Sequence, residues 1–306
     1  MQLIPEVSES AKALTVYQRS PNWCLPKRNR EYTKFELRLA ERFPIIAQLY
    51  RFNLWAQGEY ALYSMIRGRW PFTSLGEWVA KKQIENLVSD PVLREKLVPN
   101  YPIGAKRILF ATDYFKALNH DHVELVTDPI LSLNKSGVII KAAGGEQNHT
   151  HDLLILATGF HTNPFLKNID VTGVNEKKLS MQWQDGAHAY MGVQTANFPN
   201  MFMLYGPNTN TGHTSIIFKL EAQCQMILKL IDRTKSFGGN TSVAVSEVAE
   251  IIFNKEMQKR LANTAWNKVE DTWYKDGNRI TNNWPGSSRE YKKRASNPIW
   301  EHFVFD

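Results

Sequence analysis

The fold is decided at Asp152-Leu-Leu-Ile-Leu-Ala-Thr-Gly-Phe160. Leu153 to Leu156 form an unbroken apolar run, without the alternation of a strand that has one wet face. A run this short predicts a parallel strand buried on both faces. Ala157, Thr158 and Gly159 then carry no bulk, and small residues at a strand's carboxyl end let the backbone approach a ligand or a second domain. An ordinary core strand followed by a turn fits the same residues.

Working outward, the N-terminal residues complete the picture. Residues 1–13 read as helix, with Leu3, Ile4, Val7 and Ala11 on one face. Residues 14–18 read as a strand. Helix then strand with almost no linker is the second half of a βαβ unit. The first strand and its glycine-rich turn are missing, so the expectation is a chain that begins inside such a unit. Arg19 and Ser20 stand where the second strand of a nucleotide-binding unit ends, facing the adenosine ribose. A guanidinium fork there suits a 2′-phosphate and a hydroxyl adds a donor. A surface arginine at a strand end fits this residue equally well.

Residues 31–57 predict a helix divided at Pro44, with Phe35, Leu39, Phe43, Ile46 and Tyr50 on one stripe. Further helices are expected over 61–67, 75–86 and 91–97. This helical insertion, about residues 30–100, is expected to place its aromatics in a core. Residues 98–107 form a loop with two prolines and a glycine, ending in Lys106 and Arg107. Short strands follow at 123–126, 130–133 and 138–141, with a hairpin turn over 134–137. Residues 144–151 read as a polar loop. His149 and His151 share a strand face, but no third ligand lies near and no metal site is expected.

Residues 201–205 predict another strand. Gly206-Pro-Asn-Thr-Asn-Thr-Gly-His213 is a tight polar loop, and Thr214 or Ser215 then caps a helix. That helix carries Ile217, Leu220, Cys224, Ile227, Leu228 and Ile231 on one face. Strand, small loop and helix N-terminus together make a cradle for anions and polar ligands, because free N–H groups point outward; a plain βα turn fits as well. A strand at 243–245, a helix at 249–262 and an aromatic tail around Trp266, Trp273, Tyr274 and Trp284 close the chain. The tail's aromatics read as packing.

The composition is globular, at 43% hydrophobic and 22% charged residues. A net charge of +7 permits an anionic ligand such as a phosphate-bearing cofactor. The charges form no dense block or stripe, so nucleic acid is not an expected partner. Cys24 and Cys224 lie far apart, which argues against a disulfide framework and makes a reducing cytoplasm the default location. No apolar run is long enough for a membrane span.

Several of these stretches, in order, resemble the Baeyer–Villiger type of flavin-containing monooxygenases. The Asp-x-x-x-x-Ala-Thr-Gly-Phe pattern at 152–160 resembles the signature marking the return from an NADPH domain to an FAD domain. Leu-Thr-Val-Tyr-Gln-Arg-Ser-Pro-Asn-Trp at 14–23 resembles the segment whose arginine and hydroxyl bind the NADPH 2′-phosphate. Pro-x-Gly-x-Lys-Arg at 102–107, followed by Asp113 and Tyr114, resembles the loop that sets an arginine over the flavin and a lysine near the NADP phosphate. Phe-x-Leu-x-Gly-Pro-Asn-Thr and Gly-His-x-Ser resemble the FAD-domain segment beside the flavin. The matches run from residue 14 to about 291.

The resemblance implies an α/β fold: an incomplete Rossmann-like flavoprotein with two dinucleotide-binding domains and a helical insertion. Residues 1–158 would be the remnant of the NADPH domain, and 159–306 the C-terminal part of the FAD domain with its tail. It implies FAD and NADPH as cofactors, and dioxygen with a small ketone or soft nucleophile as substrates. Arg107 would be catalytic, holding a permanent positive charge beside an oxygenated anionic flavin. Arg19, Ser20, Lys106, Thr158, Gly159, Gly206, Asn208, Thr209, Gly212 and His213 would bind cofactor. The family's two Gly-x-Gly-x-x-Gly fingerprints are absent from this sequence. The expectation is therefore a C-terminal half that needs an N-terminal half in trans, or an inactive remnant that at most binds nucleotide or protein. Residues meant to pack on the missing strands would be exposed or mispaired.

Overall fold

The computed structural model describes residues 1–27, 29–160, 165–270 and 272–306. In chain order its elements are α1 (Leu3–Ser10), β1 (Leu14–Tyr17), β2 (Cys24–Leu25), α2 (Lys34–Arg42), α3 (Pro44–Ala56), a π-helical stretch (Gln57–Leu62), α4 (Tyr63–Ile66), α5 (Phe72–Leu87), α6 (Pro91–Leu97), β3 (Leu109–Phe110) and α7 (Asp113–Ala117). Then come β4 (Val123–Val126), β5 (Ile130–Asn134), β6 (Gly137–Ala142), β7 (Gly145–Thr150), α8 (Leu179–Gln182), α9 (Ile216–Ser236), β8 (Val243–Val245), α10 (Glu247–Leu261), β9 (Lys275–Asp276), β10 (Arg279–Ile280), α11 (Ser288–Ser296) and β11 (Phe303–Phe305). They fall into two compact units: residues 1–31 with 74–160, and residues 32–73 with 161–306. The stretch 32–73, the first part of the expected insertion, clusters with the second unit.

In the first unit β1 pairs in parallel with β4, Leu14 opposite Val123 and Tyr17 opposite Val126. β2 pairs in parallel with β3. A core of Cys24, Ile84, Val88, Leu97, Tyr114, Phe115, Leu118 and Leu125 lies among these elements and α5, α6 and α7. β5, β6 and β7 make an antiparallel three-stranded sheet. Its first turn is held by Asn134, whose Oδ1 accepts from the N–H groups of Ser136 at 2.9 Å and Gly137 at 2.8 Å. The expected polar loop at 144–151 is thus a correction. Residues 145–150 are strand β7, because β6 offers a free edge and Gly137 lets the His149 carbonyl come close.

The second correction falls on 153–156. No strand forms there, and Leu153 is 75% and Phe160 95% exposed. A doubly buried strand needs neighbours on both edges and cover on both faces. Among the described residues no strand pairs with this segment.

In the second unit Pro44 divides α2 from α3 as expected. Thr33 and Glu36 form a reciprocal cap at the start of α2. The predicted aromatic stripe is not core, however: Phe35, Phe43, Ile46 and Tyr50 are exposed. The main core joins α9, α10 and α11 to the paired strands β8 and β11, through Met226, Leu230, Phe253, Met257, Trp284, Tyr291 and Phe303. Residues 201–205 form no strand either. Met203 N–H donates to the Val193 carbonyl at 2.8 Å, and Tyr205 then turns to φ 60°. α9 buries Lys219, Ala222, Gln223, Met226 and Leu230, and leaves Ile217, Cys224 and Leu228 exposed. That is a different face from the expected one, because Lys219 and Gln223 find buried polar partners.

Candidate functional site

The sequence-predicted residues divide between the two units. In the first, β1 carries the chain to Gln18, whose Oε1 accepts from the Tyr114 hydroxyl at 2.8 Å. Arg19 and Ser20 follow, Arg19 exposed and Ser20 half-buried. The basic loop is fixed by three bonds. Trp23 Nε1 donates to the Tyr101 carbonyl at 2.6 Å, the Tyr101 hydroxyl donates to the Pro21 carbonyl at 2.8 Å, and Ile103 N–H donates to Glu77 Oε1 at 3.1 Å. Ile103, Gly104 and Ala105 are buried, so the loop has little freedom.

This framework sets Lys106 Nζ 3.5 Å from Ser20 Oγ and 4.9 Å from the centroid of the Tyr101 ring. A lysine and a serine hydroxyl thus meet at the end of β1, in the same unit as Arg19. Arg107 is exposed. Thr158 and Gly159 are also exposed, within the unpaired segment, and Gly159 has φ +87°.

In the second unit the Gly206–His213 loop is locked from within. Asn208, at φ +57°, donates from Nδ2 to the carbonyls of Ile280 at 2.8 Å and Asn283 at 3.0 Å. Its N–H donates to the Thr281 carbonyl at 2.8 Å. Thr209 Oγ1 donates to the Gly206 carbonyl at 2.7 Å. Gly206 is buried against Gly192, and Gly192, at φ +63°, leaves no space for a side chain against Thr209. Gly212 packs on Ile66. Thr211 Oγ1 donates to the Thr214 carbonyl, and Ser215 occupies the N-cap position of α9 without a side-chain capping bond.

His213, an expected cofactor residue, is buried. Its Nε2 lies 3.5 Å from Glu59 Oε2 and 3.4 Å from Ser288 Oγ, and its ring centroid is 5.1 Å from that of Tyr63. The histidine's approach requires Gly58, whose missing side chain admits the His213 carbonyl. Glu59, buried as well, accepts from Ser288 N–H at 3.2 Å and Arg289 N–H at 2.9 Å, at the N-terminus of α11. Burial alone would raise the Glu59 carboxyl, but bonds from His213, Arg289 N–H and Ser287 hold it below the usual range. Burial pushes the His213 imidazole down, only partly offset by Glu59. Serine, histidine and glutamate here do not form a hydrolytic triad. Carboxylate and hydroxyl face the same nitrogen, so the acid cannot orient the ring toward the serine.

Sequence reading missed Lys219, Gln223 and Glu59. Lys219 is wholly buried, donates to the Thr209 carbonyl at 2.7 Å, and lies 4.7 Å from the Tyr291 ring centroid and 5.2 Å from that of Trp284. Gln223 Nε2 donates to the Gly192 carbonyl at 3.2 Å while its Oε1 accepts from Tyr205 N–H at 3.0 Å. Both side chains hold the loop by its backbone. Their only signal was a polar residue within an apolar helix, which periodicity assigns to the surface. Among the described residues no group of three or more His, Cys, Asp or Glu is placed to hold a metal ion. Among the described residues no helix is long and apolar enough to cross a membrane.

Comparison with known proteins gives a consistent set. No family model matches the chain. It is 34% identical to a protein of Aspergillus niger named FAD-binding monooxygenase ktnD, over 99% of this chain and 50% of that one. It is 31% identical to a Baeyer-Villiger monooxygenase of Streptomyces coelicolor, over 96% of this chain and 56% of that one. Among solved structures it superposes on OTEMO in complex with FAD and NADP with a TM-score of 0.83 and 26% identity, covering all of this chain and 64% of that one. The chain therefore spans about half the length of the curated relatives it matches.

Proposed function

We propose that this chain, homologous over nearly its whole length to the Baeyer–Villiger-type flavin-containing monooxygenases, contributes the NADPH 2′-phosphate contacts and the C-terminal flavin-side loop of such an enzyme. The reaction would be oxygen insertion into a small ketone, or oxidation of a soft nucleophile, at the expense of NADPH and dioxygen. One observation carries the reading. Lys106 and Ser20, far apart in sequence, converge at the end of β1, in the unit that also exposes Arg19. Two cations and a hydroxyl are the donor set a phosphate monoester requires.

The second unit suits an isoalloxazine and its ribityl chain in a different way. Its loop backbone is rigidly held, Asn208 Oδ1 and His213 Nδ1 are buried without hydrogen-bond partners among the described residues, and the first turn of α9 lacks a side-chain cap. Bound FAD would supply the oxygen activation. Arg107 would hold a fixed positive charge beside it, and Thr158 and Gly159 would allow close backbone approach. Lys106, Ser20 and Arg19 would bind and orient NADPH. Residues 1–158 would then belong to the NADPH side and 159–306 to the FAD side.

The exposed segment 153–156 favours a second reading: the site is completed by strands from outside residues 1–306, an N-terminal half acting in trans. Two free cysteines fit a reducing cytoplasm. The test is the visible spectrum of the purified chain from about 350 to 500 nm with FAD, alone and after co-expression with an N-terminal half. Bound flavin bleached by NADPH is expected only with the second half present. Arg19→Ala should then weaken NADPH more than NADH, and Arg107→Ala should abolish product while flavin stays bound. Equal loss of both nucleotides, or undiminished product, would overturn the respective assignment.

A further inference from the structure

A cavity of about 800 Å³ opens in the second unit between the 177–197 segment, α10 and β10. Its volume falls within the range of small-molecule sites. Four cations line it: Lys177, Lys178, Lys255 and Arg279. Two acids do, Glu247 and Glu250. Glu250 is already committed. Its Oε1 lies 2.8 Å from His188 Nδ1 and accepts from Thr195 Oγ1 at 2.9 Å, and its Oε2 accepts from Ala196 N–H at 2.7 Å. Glu250 still offsets part of the Arg279 charge, but both its oxygens are engaged by other donors, so it makes no hydrogen bond to the guanidinium.

The cations are not equally committed. Lys178 Nζ donates to Thr172 Oγ1 at 2.6 Å. Arg279 uses one arm, Nη2, on Asn254 Oδ1 at 2.9 Å, while its Nε is buried with no hydrogen-bond partner among the described residues. A buried guanidinium N–H without an acceptor costs about 1–3 kcal/mol or more, and such groups in folded proteins generally mark a missing partner. Nε and Nη2 lie on the same edge of the guanidinium plane, the edge that binds carboxylates side-on. Met181 and Ile251, both exposed, supply apolar surface on the same cavity.

We propose that this cavity binds a small amphipathic carboxylate, its headgroup on Arg279 Nε with Lys255 nearby and its aliphatic body against Met181 and Ile251. Nothing in the oxygenation reading uses these residues. It is a place for an organic acid to bind the second unit.

Calorimetric titration of the full chain with hexanoate, hexanol and inorganic phosphate tests the assignment. Hexanoate should bind at least about tenfold more tightly than either, since hexanol lacks the charge and phosphate lacks the apolar body. Arg279→Gln should remove most of that preference. Arg279 also holds Asn254, so Lys255→Gln, at an exposed position, provides the variant that keeps the fold; it should weaken hexanoate several-fold and leave hexanol unchanged. Equal binding of hexanoate and phosphate would mean a general anion site and overturn the proposal. So would no hexanoate binding, or unchanged binding in Lys255→Gln and Arg279→Gln.

Discussion

Lys219 is an amino group removed from water, with one carbonyl and two aromatic faces around it. Burial drives its pKa well below the usual lysine range, although Glu59 and Glu290 pull the other way. In the unfolded chain the same group titrates near 10.4. Between the folded and unfolded values the unfolded chain therefore binds more protons, and stability rises with pH. The expectation is a Tm that climbs as pH approaches about 10 from below, and a flatter profile in Lys219→Met. Above that, buried tyrosines such as Tyr190, pushed up to about 12, reverse the slope, because the unfolded phenol ionises first. His213 obeys the same sign in acid. Its folded pKa lies below the ordinary value, so its contribution to stability is lost as pH falls through about 6.5. Glu59, held low, adds an acid loss of its own below about 4.3. Thermal melts from pH 4 to 10 on the parent, Lys219→Met and His213→Gln separate these effects. Parallel profiles for all three proteins would refute the attribution.

At the scale of elements, α10 and α11 are tied by a four-membered charge cluster. Arg260 pairs with Glu290 through two bonds, 2.6 and 2.7 Å. Arg294 reaches Glu256 at 2.6 and 3.1 Å, and both guanidinium groups lie within 6 Å of the Trp284 ring centroid. The bidentate geometry and the shared partners make this more than an isolated surface pair. A double-mutant cycle on Arg260→Met and Glu290→Gln should give a coupling of about 1 kcal/mol that shrinks in high salt. No coupling would mean that the aromatic face alone holds the two helices. Such helices were legible in the sequence where punctuation and periodicity agree. Pro91 begins α6, Pro44 divides α2 from α3, and Asn134 starts a hairpin turn, each through strictly local chemistry. The approach of Lys106 to Ser20 at the end of β1 joins two loop segments that the sequence had already singled out. Glu59 and Lys219 were not. Glu59 is buried by a partner distant in sequence, His213, which no window of neighbouring residues contains; Lys219 bonds a carbonyl only ten residues away, but the aromatic faces that enclose it come from Trp284 and Tyr291. α9 shows the consequence, burying a lysine and a glutamine while Ile217 and Leu228 face outward.

At the scale of the whole molecule, apolar surface is left uncovered in both units. In the first unit it is Leu153, Leu154, Ile155, Leu156 and Phe160. In the second it is the outer faces of α2 and α3, with Phe35, Ile45, Leu49 and Phe52, and of α10, with Ile251 and Ile252. Contiguous apolar patches of this kind mark surfaces that other protein covers. The segment at 153–156 is the sharpest case, because it also offers unpaired backbone N–H and C=O groups of high strand propensity. Two variants separate its role in association from its role in the fold. Leu154→Lys with Leu156→Lys should lower dye binding to exposed apolar surface and shift light scattering toward monomer. It should change unfolding free energy by less than about 0.5 kcal/mol, because neither side chain packs in a core. The comparison change Met226→Lys, within the α9–α10–α11 core, should instead abolish folding. If the double lysine variant lost its cooperative melt, the segment would already be packed in the folded chain and the need for outside strands would disappear. If it became monomeric with an unchanged melt, the apolar run is a surface awaiting a partner.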